Sequence, residues 1–118
     1  MTRTKRRNKY NARRTIVDNH TFDSKKEAER YMILRSRQDS GEISSLVIHP
    51  KYELQPAFVH VQSGKKIRAI NYYGDFEYMD NDYNLIVEDV KGVETPVFKL
   101  KRKLFLRQYP HIIFRIIK

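Results

Sequence analysis

The chain has 118 residues, a length that fits one domain of ordinary size. It contains no cysteine, which excludes disulfides and thiolate zinc sites, and no apolar run approaches the roughly 20 residues of a membrane-spanning helix. The net charge of +10 is uneven, because residues 1–14 and 99–118 each carry seven basic groups and no acid, whereas all fourteen acids lie between Asp18 and Glu94. Basic ends around an acidic middle predict a polyanionic partner, with nucleic acid as the leading candidate and an acidic membrane surface as the alternative.

Residues 1–14, MTRTKRRNKYNARR, contain too few apolar side chains to pack and predict a flexible basic arm. Its candidate contacts to a DNA backbone are Arg6, Arg7, Arg13 and Arg14. Such an arm can wrap a duplex and gain affinity by releasing counterions, although an untargeted tail would have the same composition. Residues 15–118 are then expected to form a single domain.

Residues 21–43 predict the first helix, with Asp23 or Ser24 as its N-cap and Gly41 at its end. Glu27 falls inside the otherwise apolar arc of this helix, and two interpretations of it stay open. It is either an inward carboxylate that needs a partner, or the glutamate of a capping box that bonds back to the helix start.

Strand-like segments follow the first helix, and a second helix and a last strand complete the pattern. The strand-like segments are 43–49, 51–56, 57–62, 65–79 and 85–90. The second helix is predicted over 94–110, with Thr95 as N-cap and Pro96 at the first helical position. Residues 111–118 are apolar on both faces and predict a buried strand. The order helix, strands, helix, strand predicts a mixed sheet with a helix against it, in the α/β or α+β class.

The stretch NLIVEDVKG combines an apolar strand with two acids and a lysine. Alternation along a strand puts Asp89 and Lys91 on one face and Glu88 on the other. If the preceding turn is centred near Asp82, Asp75 lies opposite Asp89, with Cβ atoms about 5 Å apart. A divalent cation such as Mg²⁺ would relieve the repulsion between these two acids. Alternatively, Asp75 belongs to an exposed acidic edge, and a slip of one residue in the hairpin would give the role of Asp89 to Glu88.

The second helix carries a cluster of basic residues that we expect to face solvent or a DNA backbone. They are Lys99, Arg102, Lys103 and Arg107. The core face is predicted to consist of Val97, Phe98, Leu100, Leu104 and Phe105. Lys101 falls within this apolar arc, and it either extends its ammonium to the surface or reaches the acidic site as a second phosphate contact.

The histidines and glycines of the chain give no further motif. The four histidines, His20, His49, His60 and His111, show no ligand spacing, which argues against a zinc or HNH-type site. A phosphate-binding P-loop and a glycine-rich dinucleotide loop are both absent from the sequence, so we expect no nucleotide cofactor.

A wider set of motifs resembles a family of small bacteriophage proteins assigned to the PD-(D/E)XK nuclease superfamily, which has a restriction-endonuclease-like core. The motifs are KYNARRT, TFDSKKEAERY, GEISSLVIHPKYELQP, GDFEY and IVEDVKGVETPVFKLKRKLF. The resemblance extends from about Lys9 to Lys118. Gly74 stands where the superfamily motif has its leading proline.

The resemblance implies a metal-dependent endodeoxyribonuclease that uses Mg²⁺, with Mn²⁺ as a substitute. It implies Asp75, Asp89 and Glu27 as metal ligands, Lys91 as the group that orients water or stabilises charge on the phosphate, and Glu88 as a bystander. Similarity to phage Holliday-junction resolvases implies branched DNA as substrate, a homodimer that cuts two strands symmetrically, and a location in the host cytoplasm without a membrane partner. The rival hypothesis is a non-catalytic nucleic-acid-binding protein in which the acids are structural.

Overall fold

The structure is a computed structural model that describes residues 14–118. The predicted basic arm therefore lies outside the described residues, together with Arg6, Arg7 and Arg13, whereas Arg14 is described and exposed. Two helices are found in the described part, α1 (Lys25–Asp39) and α2 (Pro96–Gln108). The strands are β1 (Thr15–Val17), β2 (His20–Phe22), β3 (Ile43–Ile48), β4 (Lys51–Gln55), β5 (Phe58–Val59), β6 (Lys66–Ile67), β7 (Ile70–Tyr73), β8 (Phe76–Asp80), β9 (Leu85–Val90) and β10 (Ile113–Ile117).

The central element is a mixed four-stranded sheet in the order β10-β9-β8-β3. The strands β3, β8 and β9 are antiparallel neighbours, whereas β10 is parallel to β9 and is reached by a crossover through α2. The fold is therefore a mixed α+β fold, as the order of the elements predicted. Neither helix of the described residues is long and apolar enough to cross a membrane.

Each face of the sheet has its own apolar core, one with side chains of α1 and one with side chains of α2. The first contains Phe22, Ala28, Tyr31, Leu34, Ile43, Phe76, Tyr78 and Ile86. The second contains Tyr52, Leu54, Tyr72, Val87, Phe98, Phe105 and Ile112. The neighbours Ile86 and Val87 lie in different cores, because successive side chains of a strand point to opposite faces. This alternation decides where the acids that follow them in β9 point.

Both helices begin at residues that cap them with a side-chain oxygen. The Ser24 hydroxyl accepts a hydrogen bond from the Glu27 N–H at 3.1 Å, and Thr95 accepts one from the Phe98 N–H at 3.1 Å. Pro96 occupies the first helical position, where the missing N–H costs nothing. Ser24 rather than Asp23 is thus the cap of α1, and the predicted start of α2 is confirmed.

The hairpin of β1 and β2 was not predicted. Its turn residues Asp18 and Asn19 both have positive φ, 51° and 66°, as the tight turn of a two-residue hairpin requires. The Tyr31 hydroxyl donates to Asp18 at 2.9 Å and ties the hairpin to α1. Strands of three residues give too short an alternation to be recognised in the sequence.

A two-stranded ribbon, residues 51–73, extends from the sheet. Strand β4 pairs antiparallel with β7, from Lys51 opposite Tyr73, and further out β5 pairs with β6. The prediction of one strand over 65–79 is therefore wrong, because the chain passes from the ribbon into β8 at Gly74. A Cβ atom at Gly74 would lie 3.0 Å from Val87 Cγ1 and 3.4 Å from Pro50 Cγ, so any larger residue at this junction would have to displace the Val87 side chain.

Two predictions of burial near the end of the chain are wrong. The strand β10 lies at an edge of the sheet, none of its five residues is fully buried, and Ile113 is 39% exposed. In α2 only Phe98 and Phe105 are buried, whereas three residues of the predicted core face are exposed: Val97, Leu100 and Leu104. The aromatic side chains fill the space beside Tyr52, Tyr72 and Phe114, which turns the aliphatic side chains outward.

Candidate active site

A cleft of about 420 Å³ lies where the start of α1 meets the end of β9 and the segment before α2. Lys26 and Glu27 of the first helical turn line one part of it. Asp75, at the junction between the ribbon and β8, and Lys91, just after β9, line another part. The cleft therefore collects acids and lysines from segments that are far apart in sequence.

Glu27, His49 and Asp75 form a group in which one ligand atom of each residue lies within 4.8 Å of the others. Glu27 is only 6% exposed, and its Oε1 lies 2.9 Å from His49 Nε2. The two interpretations of Glu27 are thereby resolved. Ser24 caps the helix through its hydroxyl, while the carboxylate of Glu27 turns inward to His49. This contact raises the pKa of His49 above its ordinary value, against the opposing effect of burial.

His49 joins this candidate ligand group, although the spacing of the four histidines along the chain gave no sign of it. It follows the last residue of β3 and has a φ of 54°, a left-handed conformation that strains a non-glycine residue and is often found at functional sites. Its N–H donates to the Asp75 carbonyl at 2.9 Å, which joins the two residues. Spacing along the chain missed His49 because its partners come from other elements. Its position between an apolar strand and Pro50 is the one signal in the sequence that could have pointed to it.

Asp75 is held at the end of β8 by two contacts with the neighbouring strand. Its N–H donates to the Glu88 carbonyl at 2.9 Å, and its Oδ2 accepts from the Val90 N–H at 2.6 Å. Burial, followed by the charges of Glu27 and Asp89, raises the pKa of Asp75 to about 8, although the Val90 N–H and Lys91 oppose this shift. Burial and two neighbouring carboxylates thus both disfavour the charged form of Asp75.

Asp89 lies beside the group of Glu27, His49 and Asp75. In the pairing of β8 with β9, Phe76 lies opposite Glu88, so the next residues along the two chains are Asp75 and Asp89. The predicted register of this hairpin is therefore confirmed. Asp89 is 3% exposed and accepts a hydrogen bond from the Tyr72 hydroxyl, a partner that sequence analysis missed. Burial raises the pKa of Asp89, and the hydrogen bond from Tyr72 and the charge of Lys91 oppose the shift.

Lys91 connects Asp89 to the cleft. Its Nζ lies 3.3 Å from Asp89 Oδ1 and 4.5 Å from the centroid of the Phe98 ring. The carboxylate and the ring face fix the ammonium at the cleft wall, where a cation can meet an incoming anion. The two-residue spacing of Asp89 and Lys91 along β9 predicted this convergence.

Glu88 points to the other face of the sheet, as alternation predicted. It is fully buried, and Arg30 of α1 donates two hydrogen bonds to its carboxylate at 2.7 and 2.6 Å. The Tyr78 hydroxyl donates a third, and burial with this contact raises the pKa of Tyr78 to about 12. Glu88 therefore has a complete set of partners in the core beside α1.

The basic residues predicted to bind DNA on α2 do not all share one surface. Lys99, Lys103 and Arg107 are exposed. Arg102 is half-buried, with its guanidinium 5.5 Å from the centroid of the Phe114 ring, so the expectation that it faces solvent is wrong. Lys101 is half-buried and does not line the cleft, which favours the interpretation that its ammonium extends to the surface.

The fold and the cleft define a mixed α+β protein with a group of two carboxylates and an imidazole, of which Glu27 is buried, Asp75 half-buried and His49 exposed. A family described as "Protein of unknown function (DUF1064)" matches residues 7–118, and the chain belongs to this family. Comparisons with curated proteins and with solved structures found no match.

Proposed function

We propose that this protein is a metal-dependent endodeoxyribonuclease that hydrolyses phosphodiesters in the cleft at Glu27, His49 and Asp75. The observation that carries the proposal is the convergence of these three ligand atoms within 4.8 Å. Two of the three residues, Glu27 and Asp75, also line the cleft, together with Lys91. Raised carboxyl pKa values in a cleft are common at functional sites, because such sites bring like charges together in a partly desolvated environment.

The donor set fits a divalent cation. Carboxylate oxygens suit Mg²⁺ and Mn²⁺, and the imidazole of His49 adds a ligand that transition metals accept more readily than Mg²⁺ does. Glu27, His49 and Asp75 would hold the ion, and Asp89 lies near enough to Asp75 to shift its pKa. When bound, such a cation supplies an activated water and neutralises charge on the phosphate.

The other residues of the site have separate tasks. Lys91 presents its ammonium to a phosphate oxygen, and Asp89 fixes the direction of that ammonium through the contact at 3.3 Å. Tyr72 donates to Asp89 and keeps it in this orientation. Asp89 thus has two effects in the site. It orients Lys91 toward the phosphate, and its charge raises the pKa of Asp75.

We also propose that the protein is a PD-(D/E)XK nuclease that acts on branched DNA. The resemblance to PD-(D/E)XK nucleases supports a restriction-endonuclease-like core, and the order α1, antiparallel strands, α2 and a parallel β10 agrees with it. By analogy with small phage relatives, we propose branched DNA such as a Holliday junction as the substrate, cut by a homodimer. The exposed basic residues of α2, Lys99, Lys103 and Arg107, are proposed contacts to the DNA backbone.

The test is cleavage of a four-way junction, a linear duplex and a single strand, each with Mg²⁺ or Mn²⁺. We expect cleavage that requires metal and is fastest on the junction. Asp75→Asn should abolish it, whereas the same change at Asp82, exposed in the turn between β8 and β9, should leave it unchanged. If the protein binds these DNAs but cleaves none of them with either metal, the rival hypothesis of a non-catalytic binding protein replaces the proposal.

A further inference from the structure

The outer part of the ribbon differs in charge from the rest of the acidic middle of the chain. Residues 54–74 contain no acid, and three basic residues lie near the tip, Lys65, Lys66 and Arg68. The ribbon therefore carries local positive charge that the count over the whole middle segment concealed. A partner that contacts it is expected to be negatively charged.

The outer ribbon is also exposed on both of its faces. Every residue from 55 to 68 is exposed, including Phe58 at 46% and Val61 at 93%. Phe58 is paired opposite Ile67, and Val59 is paired opposite Lys66, so each face carries apolar side chains. An element that packs on its own core would bury one face. This ribbon instead offers apolar and basic side chains together on an unpartnered projection.

The base of the ribbon is built into the candidate active site. His49 immediately precedes the segment that enters β4, and Asp75 follows the segment that leaves β7. The Gly74 N–H donates to the Pro50 carbonyl at 3.0 Å, and the His49 N–H donates to the Asp75 carbonyl. Ten residue steps separate Lys51 from Val61, so the ribbon reaches up to about 30 Å from the cleft.

We propose that this ribbon enters the major groove of duplex DNA next to the phosphodiester held in the cleft. The major groove of B-DNA, about 12 Å wide, admits a two-stranded β-ribbon. Lys65, Lys66 and Arg68 would contact phosphates across the groove, while Phe58 and Val61 would contact thymine methyl groups and base edges. The inference rests on the proposed function for its choice of DNA as the partner.

The geometry also distinguishes DNA from RNA. The major groove of an A-form RNA duplex is deep and narrow, and side chains do not reach its floor. The ribbon should therefore contribute to the binding of duplex DNA and much less to the binding of duplex RNA of the same sequence. A purely electrostatic attraction to phosphates would treat both duplexes alike.

The test is the affinity of the full chain for fluorescent duplex DNA over a salt series, measured without divalent metal. Lys65→Gln, Lys66→Gln and Arg68→Gln are combined in one variant, and the charge-conserving control combines Lys65→Arg, Lys66→Arg and Arg68→Lys. We expect the neutral variant to bind at least about tenfold more weakly and to lose about 2–3 from the slope of log affinity against log salt. The control should keep the slope, and duplex RNA binding should change little.

Three outcomes would overturn the inference. The first is an unchanged affinity and salt slope in the neutral variant, and the second is an equal loss for DNA and RNA duplexes. The third is evidence that the ribbon binds another partner while DNA affinity stays intact. A lower molecular mass in solution for Phe58→Ser with Val61→Ser would indicate a second copy of the chain. A loss of binding to acidic lipid vesicles by the neutral variant would indicate a membrane.

Binding without metal separates this inference from the proposed function. A chain that binds DNA through the ribbon and cleaves nothing refutes the nuclease alone, whereas cleavage with a ribbon that is dispensable for binding refutes the ribbon alone.

Discussion

Two groups of charged residues, one buried between α1 and the sheet and one at the cleft, differ in the partners of their carboxylates. Between α1 and the sheet, Glu88 receives two hydrogen bonds from Arg30 and one from Tyr78. At the cleft, Glu27 and Asp75 converge with His49, and burial and the charges of Glu27 and Asp89 raise the pKa of Asp75 to about 8. The carboxylate of the first group is bonded to a cation, whereas Asp75 of the second group lies among other carboxylates.

This difference indicates that Glu88 has a structural role and that Asp75 is the candidate for a catalytic role. When a buried carboxylate is paired with a buried cation, removing one partner destabilises the fold, because the other charge is left unpaired. Crowded acids destabilise a fold, and a protein that keeps them does so at the expense of stability. Removing charge should therefore have opposite effects on the free energy of unfolding at the two sites.

The largest effect is expected from Arg30→Ala. It leaves the fully buried Glu88 without its cation and should lower the free energy of unfolding by about 3–5 kcal/mol. Denaturant unfolding followed by circular dichroism measures it. The paired replacement Arg30→Met with Glu88→Leu should recover most of this loss, and a loss below about 1 kcal/mol for Arg30→Ala would refute the structural role of the pair.

A comparison of the adjacent acids in β9 separates structure from catalysis. Asp89→Asn should reduce the cleavage rate at least about 100-fold, because Lys91 loses its partner and the site loses a charge near Asp75. Glu88→Gln should weaken the fold but leave the rate per folded molecule within a few-fold of the wild type. Rates are measured on the preferred DNA at a temperature where both variants are folded. The reverse pattern would assign the catalytic role to Glu88.

The pH dependence of stability tests the crowding of acids directly. The pKa of Asp75 is raised from 3.8 to about 8 on folding, so the folded chain binds more protons than the unfolded chain within this range. The free energy of unfolding should therefore fall as pH rises from about 4 to 8 in the absence of metal. His49 contributes in the same sense, since its pKa is also raised and its stabilisation is lost at high pH.

The variant Asp75→Asn should flatten this pH dependence. Each unit of pKa shift corresponds to about 1.4 kcal/mol, and after allowance for relaxation we expect Asp75→Asn to be more stable than the wild type at pH 8 by about 2 kcal/mol. Thermal melts in a metal chelator at several pH values measure the difference. Destabilisation at pH 8 comparable to that of Arg30→Ala would show that the two groups are alike.

The smallest expected effect concerns His49 as a ligand. Mn²⁺ should raise the melting temperature of the wild type at pH 8, and His49→Gln should weaken Mn²⁺ binding about tenfold, which corresponds to about 1.4 kcal/mol. The affinity is measured by calorimetry. The matched control is His60→Gln at the exposed tip of the ribbon, which should bind Mn²⁺ like the wild type. Equal affinities in all three proteins would exclude His49 from the ligand set.

Local chemistry made part of the fold and site predictable. The caps at Ser24 and Thr95 fixed the helix starts, because only a few residue types satisfy the free N–H groups there. The turn DNDYN fixed the register of β8 and β9, and the period of two along β9 then separated Glu88 from Asp89. These features depend on residues close together in sequence.

The features that were missed depend on contacts between distant segments. His49, just after β3, and Tyr72, in β7, join the site, and no spacing along the chain relates them to Asp75 or Asp89. In α2, five apolar residues were assigned to one core face, and the helix buries only Phe98 and Phe105 because aromatic side chains of β4, β7 and β10 receive them. Periodicity along the helix could not show which of the five would be buried.

Gly74 has a consequence for finding distant relatives of this chain. The motif that the sequence resembles has a proline at this position. Proline here would remove the N–H that Gly74 donates to the Pro50 carbonyl and would place ring atoms against Val87, where even a Cβ comes within 3.0 Å. A motif search that rewards the proline therefore penalises this chain at a position where its own hydrogen bond and packing favour glycine.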